Sequence, residues 1–197
     1  MGSNVDFNIV KSRTVCFTGH RPEKLPFGGS DDAYVTRVLK STLYKAVLDS
    51  IDEGCDCFIT GLARGVDLWA GEIILDLKAE GRPIKLIAAA PFKGHGANFH
   101  GAEKFSLGNI LLNADKTVYV SQNYFKGCMQ RRNEFMVNNS GKLIAVVSDY
   151  KSGTGSTIRY AERRGLKMCI IDAKRLEEQL SGIDDPDGIA EYEQLVF

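Results

Sequence analysis

The residues best suited to chemistry lie in three glycine-punctuated turns. Cys57-Phe58-Ile59-Thr60 is an apolar run that stops at Gly61-Leu62-Ala63-Arg64-Gly65 and continues from Val66-Asp67 as an amphipathic helix. A strand that breaks at glycine and hands over to a helix turns main-chain amides and a helix N-terminus toward one point, a seat for a phosphate or carboxylate. The same grammar recurs at Val15-Cys16-Phe17-Thr18-Gly19-His20-Arg21, and again where Ile144-Ala145-Val146-Val147 leads to Ser152-Gly153-Thr154-Gly155-Ser156-Thr157. Three such turns in a chain of 197 residues point to a nucleotide-like ligand.

Within these turns Gly19, Gly61, Gly153 and Gly155 let the backbone approach an anion without a Cβ in the way, and they reach positive φ cheaply. Ser156 and Thr157 stand at the start of a predicted helix, where their hydroxyls cap free amides or donate to a phosphate. Arg21 follows a strand end directly and reaches the crevice mouth, whereas Arg64 either contacts ligand or braces its turn through carbonyls. Arg131 and Arg132 differ in facing by about 100° on a helix, so at most one of them points at the crevice. Asp67, in a first helical turn, caps that turn or takes a ribose hydroxyl. Phe92 and Tyr124 in strand-end loops are candidates for stacking on a base, and Trp69 either packs its helix or stacks.

The elements that must position these residues follow from hydrophobic periodicity. Six short apolar runs, Thr14 to Thr18, Cys57 to Thr60, Ile84 to Ala90, Thr117 to Val120, Leu143 to Val147 and Met168 to Ile171, are mostly continuous, as in strands buried on both faces. Between them, helical stripes cover Asp31 to Glu53, Val66 to Glu80, Ala102 to Asn113, Cys128 to Asn139, Ser156 to Arg164 and Lys174 to Leu180. This alternation predicts an α/β fold, a mainly parallel sheet with helices on both faces in one domain. The domain is expected over residues 14–182, with an N-terminal extension over 1–13 and an acidic C-terminal tail over 183–197.

Composition narrows the function classes. The formal net charge is zero, which removes any general electrostatic argument for nucleic-acid binding. No run of about 18 apolar residues offers a membrane span, so a cytoplasmic protein with no membrane partner is expected. Five cysteines, three of them inside predicted strands, read as buried reduced thiols. Cys55 and Cys57 would share one strand face with no matching second pair, so no metal is expected. His95 and His100 flank a glycine-rich turn and read as a polar surface loop.

Taken together, the motifs carry a resemblance. Gly61-Leu62-Ala63-Arg64-Gly65-Val66-Asp67 resembles the Gly-Leu-Ala-Arg-Gly-Ile-Asp signature of the DNA-processing protein A family, and Arg132-Asn133 followed by Ser140 resembles its Arg-Asn helix. That family belongs to the SLOG superfamily, shared with the LOG cytokinin-activating enzymes. More narrowly, Phe17 to Leu25, Pro91-Phe92, Gly127 to Asn133 and Ser152 to Gly155 resemble the YpsA-like branch. The resemblance implies a modified Rossmann fold whose first and fourth strands lie side by side at the switch point. The crevice is then lined by Thr18, Gly19, His20 and Arg21 on one side and by the loop after Val120 on the other. It further implies a nucleotide-derived small molecule as partner, an NAD- or ADP-ribose-like ligand among the candidates, and a homodimer as the common assembly. Motif alignment selects Arg132 as the crevice arginine, with Asn133 anchoring a loop and Thr154 among the ligand contacts.

Two alternatives to simple binding remain at this level. LOG phosphoribohydrolases combine an arginine, a methionine four residues later and a glycine turn ending in two carboxylates. Arg132 and Met136 match the first spacing, but Ile158 and Arg159 stand where the carboxylates belong. Cleavage through an oxocarbenium-like centre then needs a substitute such as Glu134 or Glu162 beside Arg132. Single-stranded-DNA binding of the DNA-processing type needs a basic face that a neutral chain does not announce.

Overall fold

The computed structural model describes residues 8–30 and 33–181. Strands and helices alternate as β1 (Thr14–Gly19), α1 (Tyr34–Asp52), β2 (Cys57–Thr60), α2 (Val66–Ala79), β3 (Lys85–Ala90) and α3 (Gly101–Asn113). The second half continues with β4 (Lys116–Tyr119), α4 (Cys128–Asn138), β5 (Lys142–Val147), α5 (Gly153–Arg163), β6 (Lys167–Asp172) and α6 (Ala173–Leu180). All neighbouring strands are parallel, in the order β4-β3-β2-β1-β5-β6.

The continuous apolar runs have the cause the sequence suggested. Each central strand feeds two cores, its side chains alternating between them. Phe17, Phe58, Leu86 and Ile144 enter one core with α1, α2, α3 and α6, while Cys16, Ile59, Ile87 and Leu143 enter the other with α4 and α5. Each such large side chain contributes roughly 1.5–3 kcal/mol on burial. Four of the five cysteines are buried, three of them in these layers, and burial pushes the Cys16 thiol up to about 12.

The strand neighbours differ from the expectation. β1 lies between β2 and β5, and β4 is the far edge, separated from β1 by β2 and β3. The chain runs outward through β2, β3 and β4 before α4 carries it back beneath β1, so the switch point falls between β1 and β5. The loop after Val120 consequently sits at the sheet edge, and the β5–α5 loop takes its place beside Thr18 to Arg21.

Helix and strand limits agree with the periodicity to within a few residues. α5 is the informative exception, starting at Gly153 where the glycines suggested a helix from Ser156. Ser152 is its N-cap, and the Ser152 side chain accepts from the Gly155 amide at 3.2 Å. Asp31 and Asp32, residues 1–7 of the expected extension and the acidic tail over 183–197 lie outside the described residues. Among the described residues no helix is long and apolar enough to cross a membrane.

Candidate ligand-binding site

A cavity of about 610 Å3 opens where β1, β2, β3 and β5 end. Eleven of the residues singled out from the sequence line it: Thr18, Gly19, His20, Arg21, Arg64, Asp67, Phe92, Arg132, Asn133, Gly153 and Thr154. Gly61, Gly155, Ser156 and Thr157 do not.

Packing requires a glycine at Gly19, Gly61 and Gly155, and the positive φ expected of these three and of Gly153 is absent. A Cβ on Gly19 would overlap the Val66 side chain, one on Gly61 would strike Arg132 Nη1, and one on Gly155 would strike the Tyr150 carbonyl. None of Gly19, Gly61, Gly153 and Gly155 has positive φ; that conformation belongs to Leu62 (φ 64°) and Gly65 (φ 80°) in the same signature. A left-handed leucine is a strained choice that surrounding structure must enforce. Here the restraint is visible, because His95 Nε2 donates to the Leu62 carbonyl at 2.9 Å.

The turn delivers Asp67 to the cavity floor opposite Arg132. Arg132 Nη1 donates to Asp67 Oδ2 at 3.4 Å, and both side chains are 5% exposed. Asp67 also accepts from the Ala63 amide at 3.2 Å, and Arg132 Nε donates to Asn133 Oδ1 at 2.8 Å. Burial holds the Asp67 carboxyl above its ordinary value despite the Arg132 charge, and burial lowers Arg132 despite Asp67. Desolvation therefore outweighs attraction on both sides of the pair. Arg131 is exposed, so α4 turns Arg132 inward as the motif alignment required. Arg64 is braced by carboxylates and not carbonyls, with Nε on Glu103 at 2.6 Å and Nη1 3.6 Å from Glu23.

The first two amides of α5, Gly153 and Thr154, have no partner within the helix and line the cavity. Ser156 and Thr157 turn their hydroxyls back onto the Ser152 and Gly153 carbonyls, and Thr157 accepts from Asn133 Nδ2 at 2.8 Å. Thr157 thereby joins α4 to α5, while Ser156 stays bonded within α5 and its cap. The β5–α5 loop is stitched to the segment that follows β1 by two bonds, Asp149 amide to His20 Nε2 at 3.1 Å and Ser148 Oγ to the Lys24 carbonyl at 2.7 Å.

Several residues depart from the sequence reading. His95 is a cavity residue, not part of a polar surface loop; it lies edge-on to Phe92 and Phe99 at 5.7 and 5.4 Å, while His100 is exposed. The apolar neighbours Phe92 and Phe99 flanking His95 are the signal that finds it. Ser152 also lines the cavity, and its type directly before the glycines identifies it as a cap. Glu134 does not line the cavity and accepts from Gln130 on its own helix, so the substitute carboxylate proposed beside Arg132 is misplaced. Tyr124 is 68% exposed and touches the site only through Phe92, 5.5 Å between centroids. Trp69 packs on the core with Lys40 over its ring.

Both cavity histidines are held below the ordinary value of 6.5, His20 by burial first and Lys24 second, His95 by burial with Arg132 and Arg21 adding to it. A depressed folded-state pKa means that the unfolded chain takes up protons first as pH falls. Their stabilisation is therefore full above 6.5 and is lost below it. Urea midpoints are expected to fall between about pH 7.5 and about pH 5, and His20→Gln to flatten part of that slope. An equal slope in the variant would contradict the role given to His20.

A parallel sheet whose switch-point cavity gathers arginines and a capped helix N-terminus defines a Rossmann-like domain of the SLOG class. The family model described as the YspA SLOG family (YpsA) matches residues 15–176, and the chain belongs to that family. The UPF0398 protein of Levilactobacillus brevis is 30% identical over 172 residues, covering 82% of this chain and 88% of that protein. The UPF0398 protein of Ligilactobacillus salivarius is 27% identical over 168 residues, covering 82% and 91%. Among solved structures, DNA processing protein A from Helicobacter pylori, studied for its single-stranded DNA binding mode, shares the fold. It superposes with a TM-score of 0.57 at 16% identity, covering 95% of this chain and 82% of that one.

Proposed function

We propose that this protein binds a nucleotide or nucleotide-derived small molecule at the C-terminal edge of its sheet, in a cytoplasmic setting. The carrying observation is the convergence of the Gly153 and Thr154 amides with Arg21 and Arg132 in one cavity that also holds Phe92. The amides and guanidiniums suit a phosphate, and the aromatic wall suits a base. An NAD- or ADP-ribose-like molecule satisfies both ends. Binding is favoured over N-glycosidic cleavage because the two cavity carboxylates are already engaged, Asp67 by Arg132 and Glu23 by Arg64. The DNA-processing neighbour's ligand is not carried over, since this chain is neutral overall.

The test is a thermal-shift panel of AMP, ADP, NAD and ADP-ribose. A ligand at about 100 times its Kd contributes about 2.7 kcal/mol, or roughly 5–10 °C for a domain of this size. Inorganic phosphate is expected to compete. If none of the panel raises Tm, the ligand class is wrong; if a nucleotide is consumed on incubation, as read by chromatography, the protein is an enzyme.

A further inference from the structure

The two cavity histidines have opposite tautomers, each fixed by a main-chain partner. A main-chain amide can only donate, so His20 Nε2, facing the Asp149 amide at 3.1 Å, is the bare nitrogen and the ring proton sits on Nδ1. A carbonyl can only accept, so His95 Nε2, 2.9 Å from the Leu62 oxygen, carries its proton and leaves Nδ1 as a lone pair. Among the described residues neither Nδ1 has a hydrogen-bond partner, although His20 is 3% exposed and both rings line the cavity. Neither Nδ1 is among the described side-chain atoms that are both buried and unpartnered, so each stays open to solvent and to a ligand entering the cavity.

We propose that the site reads a sugar phosphate through these rings: His20 Nδ1–H donates to a phosphoryl oxygen, and His95 Nδ1 accepts from a sugar hydroxyl. This rests on the nucleotide reading above and narrows it to ligands that carry a free hydroxyl beside the phosphate. The assignment of the hydroxyl to His95 follows from position. The ring packs edge-on to Phe92, the wall offered to the base, and lines the same cavity as Arg132 and Arg21, so its acceptor stands between the base end and the anion, where a sugar lies. A bare acceptor also repels a phosphate oxygen, so it selects for a hydrogen-bond donor at that point.

The experiment uses isothermal titration of AMP, its 2′-deoxy and 3′-deoxy analogues and inorganic phosphate. His95→Gln keeps a donor for Leu62 but loses the Nδ1 acceptor, and His20→Gln keeps an acceptor for Asp149 but loses the Nδ1 donor. Wild type is expected to prefer AMP over one deoxy analogue, and His95→Gln to weaken AMP about threefold to tenfold while leaving that analogue unchanged. His20→Gln is expected to weaken every phosphate probe alike. Ring nitrogen–proton correlation spectra supply a second readout, with His20 as the Nδ1–H form and His95 as the Nε2–H form. The assignment is overturned if the two rings share a tautomer, or if His95→Gln changes AMP and both analogues equally or changes none. Failure of wild type to bind any probe would instead remove the nucleotide reading, and this assignment with it.

Discussion

Asp67→Leu is expected to destabilise the protein more than Arg132→Met, and the double variant less than either. Removing one partner of a buried ion pair leaves the other unanswered at a cost of about 3–5 kcal/mol. The two survivors differ in what they can do. A carboxyl relieves its burial by taking a proton, and Asp67 is already displaced in that direction even with Arg132 present. A guanidinium has no such exit, because its pKa stays far above neutral in any protein environment. The Arg132→Met deficit should therefore depend on pH. With the Asp67 pKa raised above its ordinary 3.8, the folded state holds the proton more tightly than the unfolded chain, so stability is full at low pH and declines as pH rises. The Asp67→Leu deficit carries no such term. Urea titrations of the three variants at about pH 5 and about pH 8 resolve the cycle. If the double variant is as unstable as the worse single, the pair is a net stabiliser and the dominance of desolvation is refuted. If it folds well but no longer gives a nucleotide-dependent Tm shift, the ion pair is retained for the ligand.

The fold was legible because its strands carry a strong one-dimensional signal: apolar runs such as Leu86 to Ala90 and Leu143 to Val147 admit no exposed face. The order of those strands was not legible in the same way. Nothing local in Thr117 to Val120 says whether the run sits beside β1 or at an edge; only the return path through α4 decides it. At the site, residue type located most cavity residues, since Arg21, Arg132 and Gly153 all lie in the motifs. Partnership was invisible. Gly61 reads as a phosphate glycine, yet its missing Cβ is occupied by Arg132, so Gly61→Val would break the ion pair instead of only blocking a ligand. His95 reads as loop surface because the carbonyl that orders it belongs to Leu62, thirty-three residues earlier in the chain.

Gly153 and Gly155, two residues apart in one motif, are expected to respond in opposite ways to alanine. A Cβ on Gly155 would run into the Tyr150 carbonyl, which is main chain and cannot rotate away. Relief requires moving the 148–152 loop, which carries the Ser152 cap and the Asp149 amide bonded to His20. Overpacking of this kind costs about 1–3 kcal/mol and occasionally more. Gly155→Ala should thus lower the urea midpoint and loosen the β1–α5 junction together. A Cβ on Gly153 meets nothing within 4 Å, and its φ is not in the left-handed region, so the helix gains up to about 1 kcal/mol from the exchange. The same methyl, however, borders the cavity beside the Gly153 and Thr154 amides. Gly153→Ala is therefore expected to fold at least as well as wild type while losing most of the nucleotide-dependent Tm shift, and Gly153→Val to lose all of it. Were Gly153→Ala to bind as wild type does, the anion would have to lie elsewhere, on Arg21 and Arg132 alone, and the helix N-terminus would be no more than a packing corner.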